Sequence, residues 1–145
     1  MKKHCVIFVA VMAVTLAVFA SDSQFTNALR NCSQYSESGS VNAEGMNVHS
    51  IKQITGKQGD KCVYKETVNM SGPDITITCK FTDTQRYELV SVMDAYDLVQ
   101  KYSKDNVDTT SVSAVQDNPV VRAWNKYLQD TSVCTLSGPG INGGK

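Results

Sequence analysis

Apolar positions along the chain fall into three patterns, and each predicts a different kind of element. The first twenty residues, MKKHCVIFVAVMAVTLAVFA, form an apolar run behind Lys2 and Lys3, with Val18 and Ala20 at the small-residue positions a signal peptidase reads. The run is shorter than the roughly 18 to 20 apolar residues that span a bilayer, and no basic stop follows it. It predicts a secretory signal over residues 1–20, a mature chain from Ser21 and no membrane insertion after cleavage. Three later stretches have helical spacing instead. Phe25, Ala28, Leu29 and Cys32 follow Ser21, Asp22 and Ser23 as available caps. Leu89, Val92, Met93, Tyr96 and Val99 follow a Thr82…Gln85 capping box and predict a long helix to about Tyr102. Val120, Val121, Trp124, Tyr127 and Leu128 follow Asn118 and Pro119, a cap and a first-turn proline.

Strict alternation marks the third pattern. Cys62, Tyr64, Glu66 and Val68 share one side of a strand, as do Ile75, Ile77, Cys79 and Phe81, with NMSGPD turning between them. A register that sets Cys62 opposite Cys79 also sets Tyr64 opposite Ile77. Val48 to Thr55 predicts a third strand, with Val48 and Ile54 on one side and Ile51 on the other, and GKQGD at 56–60 predicts the turn after it. Residues 36–47 and 103–118 lack a period and read as loops, and 137–145 reads as a flexible glycine-rich tail. The fold class is therefore α+β over residues 21–136: a short N-terminal helix, an antiparallel meander of about three strands, and two C-terminal helices packed on one face.

Cys5 leaves with the signal, so the mature chain keeps Cys32, Cys62, Cys79 and Cys134. An even count in an exported domain predicts two disulfides. Zinc sites use close pairs such as C-x2-C, whereas sixteen residues lie between the nearest two cysteines, and no C-x-x-C redox pair exists. Neither a metal site nor a cofactor is expected. Of three arrangements, Cys62–Cys79 with Cys32–Cys134 comes first because the hairpin register can oppose the strand pair. Cys32 on a helix over the sheet reaches Cys79 or Cys62 as well, which leaves Cys134 for the other strand cysteine.

Charge changes the picture little. Without Lys2 and Lys3 the chain has 12 basic against 14 acidic residues, and Lys52, Lys57, Lys61, Lys65 and Lys80 interleave with Asp60, Glu66 and Asp74. That mixture predicts an ordinary solvated surface and no nucleic-acid partner. Candidate chemistry is thin. His49 is the only histidine beyond the signal, and Ser50 beside it points to the opposite side of a strand. Asp94 and Asp97 lie away from the apolar stripe of the long helix, and Asp105, Asn106 and Asp108 depart from calcium-loop spacing. Asn31 and Asn69 head N-x-S sequences that the bacterial look of the signal discounts. Trp124, Tyr96, Tyr102 and Tyr127 read as core or core edge, and Tyr87 as exposed.

Taken together, NCSQYSE, GDKCVYKETVN, ITCKFT and NPVVRAWNKYLQDTSVC resemble a group of small exported Gram-negative bacterial proteins of uncharacterised role. The resemblance spans about residues 25–134 and implies a periplasmic or secreted setting, with no activity or site residues attached. A helix before an antiparallel sheet is also similar to cystatin-type inhibitors. Gln53, Ile54, Thr55 and Gly56 match their Q-x-V-x-G loop only in part, and two later helices are foreign to that fold. The expected function is a non-enzymatic module that binds a protein or envelope component. An inhibitor of a lysozyme or protease, plugging its target with residues 36–47 or 69–74, stands second. An enzyme with an unfamiliar site around His49 stands third.

Overall fold

The computed structural model describes residues 23–43, 45–102 and 118–139. In chain order the elements are α1 (Ser23–Asn31), β1 (Tyr35–Ala43), β2 (Met46–Gln58), β3 (Lys61–Asn69), β4 (Ile75–Phe81), α2 (Asp83–Tyr102), α3 (Pro119–Leu128) and β5 (Cys134–Ser137). The strands form one antiparallel sheet in the order β1-β2-β3-β4-β5. All three helices send side chains to one core on one side of that sheet. Phe25 and Leu29 meet Leu89, Met93, Val121 and Trp124 over Ile54, Tyr64, Ile77 and Phe81. Trp124 is the hub, its ring 5.0 Å from that of Tyr64 and 5.7 Å from that of Phe81.

The chain is α+β as expected, but the sheet has five strands where the sequence predicts about three. β1 occupies most of the expected loop 36–47. Its inward positions are Tyr35, Glu37, Gly39 and Val41 and its outward ones Ser36, Ser38 and Ser40, so an edge strand forms here with little apolar alternation. β2 likewise runs on through the expected turn at 56–60. A bulge at Thr55, with Gly56 at φ 101°, absorbs the irregularity, and the reversal shrinks to Gly59 and Asp60. β5 continues the sheet after α3, within sequence that offers too few residues for a period.

Helix boundaries follow their caps. The Thr82 amide donates to Gln85 Oε1 at 2.9 Å and the Gln85 amide to Thr82 Oγ1 at 3.3 Å, a complete capping box. Asn118 Oδ1 accepts from the Val120 amide at 2.8 Å, with Pro119 in the first turn. Phe25, Ala28, Leu29 and Cys32 of the first helical pattern are all buried. On α2 the buried set is Arg86, Leu89, Val90 and Met93, and Val99 is not the core residue that its spacing predicts. It is 61% exposed because α2 outruns the core after Tyr96. The expected cap residues Ser21 and Asp22, the stretch 103–117 with Asp105, Asn106 and Asp108, and the end of the tail lie outside the described residues.

The disulfides are Cys32–Cys62 and Cys79–Cys134, which corrects the pairing expected first. The hairpin register is the reason. Cys62 lies opposite Phe81 and Tyr64 opposite Cys79, two residues away from the expected alignment, while Cys79 directly faces Cys134 on β5. A two-residue slip keeps every side chain on its own face, so alternation alone cannot detect it. Cys62 meets Cys32 instead, at the end of α1. There Ser33 donates to the Ala28 carbonyl and Cys32 to that of Leu29, closing a Schellman turn with Cys32 at φ 50°, the place glycine usually takes. Arg86 reaches across from α2 and donates to the carbonyls of Leu29 and Arg30.

Candidate functional site

Strand alternation gives the sheet two chemically different faces, and each holds one unusual arrangement. On the helix-covered face, register sets Glu37 opposite Lys52 and Lys52 opposite Glu66, a row of three charges across β1, β2 and β3. Lys52 and Glu66 are 1% and 2% exposed. Two phenols finish the row: Tyr64 Oη donates to Glu66 Oε2 at 2.8 Å and Tyr35 Oη to Glu37 Oε2 at 3.0 Å. The Lys52 ammonium also stands 5.7 Å from the centre of the Phe25 ring. Burial pushes the Lys52 pKa down to about 8, against the upward pull of Glu66 and Glu37. Burial first, and then the Glu66 carboxylate, hold the Tyr64 phenol well above its ordinary range. Glu66 Oε1 and Trp124 Nε1 are buried without hydrogen-bond partners. A buried lysine whose pKa is drawn toward neutrality beside carboxylates is the kind of group that marks some functional sites, but solvent does not reach this one in this conformation.

Among the described residues no helix lies on the other face. Two rows cross all five strands there: Ser38–Ile51–Thr67–Thr76–Ser137 and Ser36–Gln53–Lys65–Thr78–Thr135. Ser40, His49 and Asn69 begin a third, and Lys61, Val63 and Lys80 extend the surface toward the β2–β3 turn. Beside Ser36 and Gln53, a shallow open depression of about 410 Å³ is lined by Gln34, Tyr35, Ser36, Gln53, Ile54 and Thr55. Charge summed along the chain does not reveal this face, because neighbouring residues of a strand lie on opposite sides. The same alternation that places Glu66 inward places Lys65 outward.

His49 is exposed and Ser50 buried, on opposite sides as expected. The histidine meets a different serine: Ser40 Oγ and His49 Nδ1 are 2.8 Å apart across β1 and β2. Asn69, next in that row, donates from Nδ2 to Gly72 O and Asp74 Oδ1 and accepts at Oδ1 from the Ser71 amide, so it shapes the β3–β4 turn and does not orient His49. Asp94 receives the Arg30 guanidinium at 2.6 Å, and Asp97 is raised above the ordinary range by burial and by Asp94. Glu88 ties α2 to α3 through Lys126 at 2.8 Å and the Tyr127 hydroxyl, which hold its carboxyl below the ordinary range. Trp124 and Tyr127 are core, while Tyr87 is exposed, and so is Tyr102, against expectation.

Among the described residues no three His, Cys, Asp or Glu side chains converge as a metal set, and no helix is long and apolar enough to cross a membrane. The two disulfides fit an oxidising compartment. Compared with known proteins, the chain matches no family model, no curated protein and no solved structure.

Proposed function

We propose that the mature chain is a non-enzymatic module of the periplasm or secretome that binds another macromolecule through the uncovered face of its sheet. One observation carries this reading: among the described residues three helices crowd one side of a disulfide-stapled sheet and leave the other as two rows that are polar at every position but Ile51. A rigid, flat array of hydrogen-bonding groups presents itself with little ordering cost on binding. The hydrolase-inhibitor reading loses one of its two plugs, since most of residues 36–47 are paired strand. The enzyme reading gains the Ser40–His49 contact and nothing to orient it among the described residues. Cross-linked capture of envelope material by the oxidised mature protein tests the proposal. Capture is lost in Thr67→Glu with Thr78→Glu and retained in Thr84→Glu on α2. Equal capture by all three proteins overturns it, and turnover of any substrate that His49→Ala abolishes establishes the enzyme instead.

A further inference from the structure

The charges of β3 and β4 are segregated by face. Glu66 turns into the core, whereas Lys61, Lys65 and Lys80 all point to the uncovered face, where the strands β1 to β5 place no carboxylate. Lys80 lies opposite Val63, midway between Lys61 and Lys65, so it is a diagonal neighbour of both, at the roughly 7–8 Å typical of such pairs. Among the described residues none of the three ammonium groups belongs to an ion pair; the ion pairs there use Arg30, Lys57, Arg86 and Lys126. Asp60 and Asp74 stay in the turns at opposite ends of β3, and Asn69 holds Asp74. Three like charges at neighbouring positions repel one another, and an anionic partner removes that repulsion on binding.

The rest of the face narrows the partner. Its described strand positions carry serine, threonine, asparagine and glutamine but no phenylalanine, tyrosine or tryptophan; a single imidazole, His49, lies two rows beyond Lys65 and is bonded to Ser40, so there is no run of rings on which successive bases can stack. Ile51 alone among large aliphatic side chains is exposed there, too little apolar surface to enter a bilayer. Hydroxyl and amide groups instead recur at strand spacing along rows roughly 19 Å long, four gaps of about 4.8 Å. Lys65 sits in the middle of one row, and the depression lined by Gln34, Tyr35, Ser36, Gln53, Ile54 and Thr55 lies beside its Ser36 end. Building on the reading that this face is the binding surface, we propose that its partner is an acidic polysaccharide. The sugar hydroxyls pair along the serine and threonine rows, and the acidic groups lie on Lys61, Lys65 and Lys80.

Binding of the oxidised mature protein to polygalacturonate, dextran sulfate and unmodified dextran tests this. Both acidic polymers bind in low salt and dextran does not. Lys65→Ser with Lys80→Ser weakens binding about tenfold or more. Lys101→Ser with Arg122→Ser, which removes equal charge from the helices, changes it by less than about twofold. Thr76→Val with Thr78→Val, which keeps every charge, weakens it several-fold. Single-stranded DNA or anionic phosphatidylglycerol vesicles that bind as tightly, with the same lysine dependence and no response to the threonine changes, overturn the polysaccharide assignment. So does failure of both acidic polymers to bind. If Thr67→Glu with Thr78→Glu still abolishes capture of envelope material in that case, the face remains the binding surface and only the partner class is wrong.

Discussion

The two faces of the sheet are made by the same strands, yet they treat charge in opposite ways. Inside, Lys52 is enclosed between Glu37 and Glu66, and each carboxylate is bound by a tyrosine two residues along its own strand. Outside, Lys61, Lys65 and Lys80 share a surface without a carboxylate. Enclosing an ammonium costs several kcal/mol in desolvation, which only close partners offset, while an unpaired surface lysine costs a few tenths. The inner row therefore favours one register, because a two-residue slip of β3 against β2, although it keeps both faces, would set Lys52 opposite Tyr64 or Val68 in place of Glu66. The outer lysines impose no such condition. Adjacency in sequence says little about either, since Lys65 and Glu66 are neighbours in the chain and lie on opposite sides of a sheet.

The largest difference should appear when anchors of the inner face are cut. Cys79→Ala with Cys134→Ala opens a 55-residue loop and should cost about 4 kcal/mol in the chain-entropy account. Removing Cys32–Cys62, with a separation of 30, should cost slightly less on that account. Urea denaturation reads both, and non-reducing peptide mapping checks the pairing. A hairpin disulfide between Cys62 and Cys79 in that map would overturn the register itself.

Comparable in size is the inner row. Lys52→Met should cost about 3–5 kcal/mol by leaving Glu66 buried without the lysine opposite it. Adding Glu66→Leu should recover about half of that loss or more, because an apolar replacement of a buried pair is often neutral. A double variant no better than the single one would show that Glu66 serves the fold through Tyr64 and not through Lys52.

How far these features were legible depended on what each needed from its neighbours. The caps at Thr82 and Asn118 are local, and so is the alternation of β3 and β4; all were readable. β1 was not, because an edge strand with serine on its open side lacks the apolar rhythm that marks a strand. The disulfides failed for a different reason. Slipping β4 by two residues leaves both faces intact, so the choice between Cys79 and Phe81 opposite Cys62 rests on β5, whose four residues show no period. The outer face was within reach, since the alternation that puts Glu66 inward already sends Lys65 out. What hid it was adding charges along the chain when they act by side.

A smaller effect follows from the Lys52 pKa of about 8, below the ordinary lysine value. Above about pH 8 the folded chain has released a proton that the unfolded chain still binds, so stability should rise with pH up to about pH 10, by at most about 1.4 kcal/mol per unit. Higher still, Tyr64 keeps its proton in the fold while an unfolded tyrosine loses it, and stability should fall again. Urea midpoints between pH 7.5 and 10 test this. Lys52→Met should flatten the rise, and a rise that survives in that variant would assign it to another group.

The smallest effect belongs to the outer face and has the opposite sign. Lys65→Thr with Lys80→Thr removes two of three neighbouring like charges and puts strand-favouring side chains in their place. The variant should be more stable than the parent by up to about 0.5 kcal/mol, the range of surface sites. Repulsion and strand preference separate by salt, because raising the ionic strength from about 10 mM to about 1 M shortens the screening length from roughly 30 Å to 3 Å. A gain that shrinks in high salt is relief of repulsion, and one that persists is strand preference. A loss of more than about 1 kcal/mol would mean that these lysines support the fold as Lys52 does. The two faces would then differ only in exposure, and the outer one would not be free to give its charges to a partner.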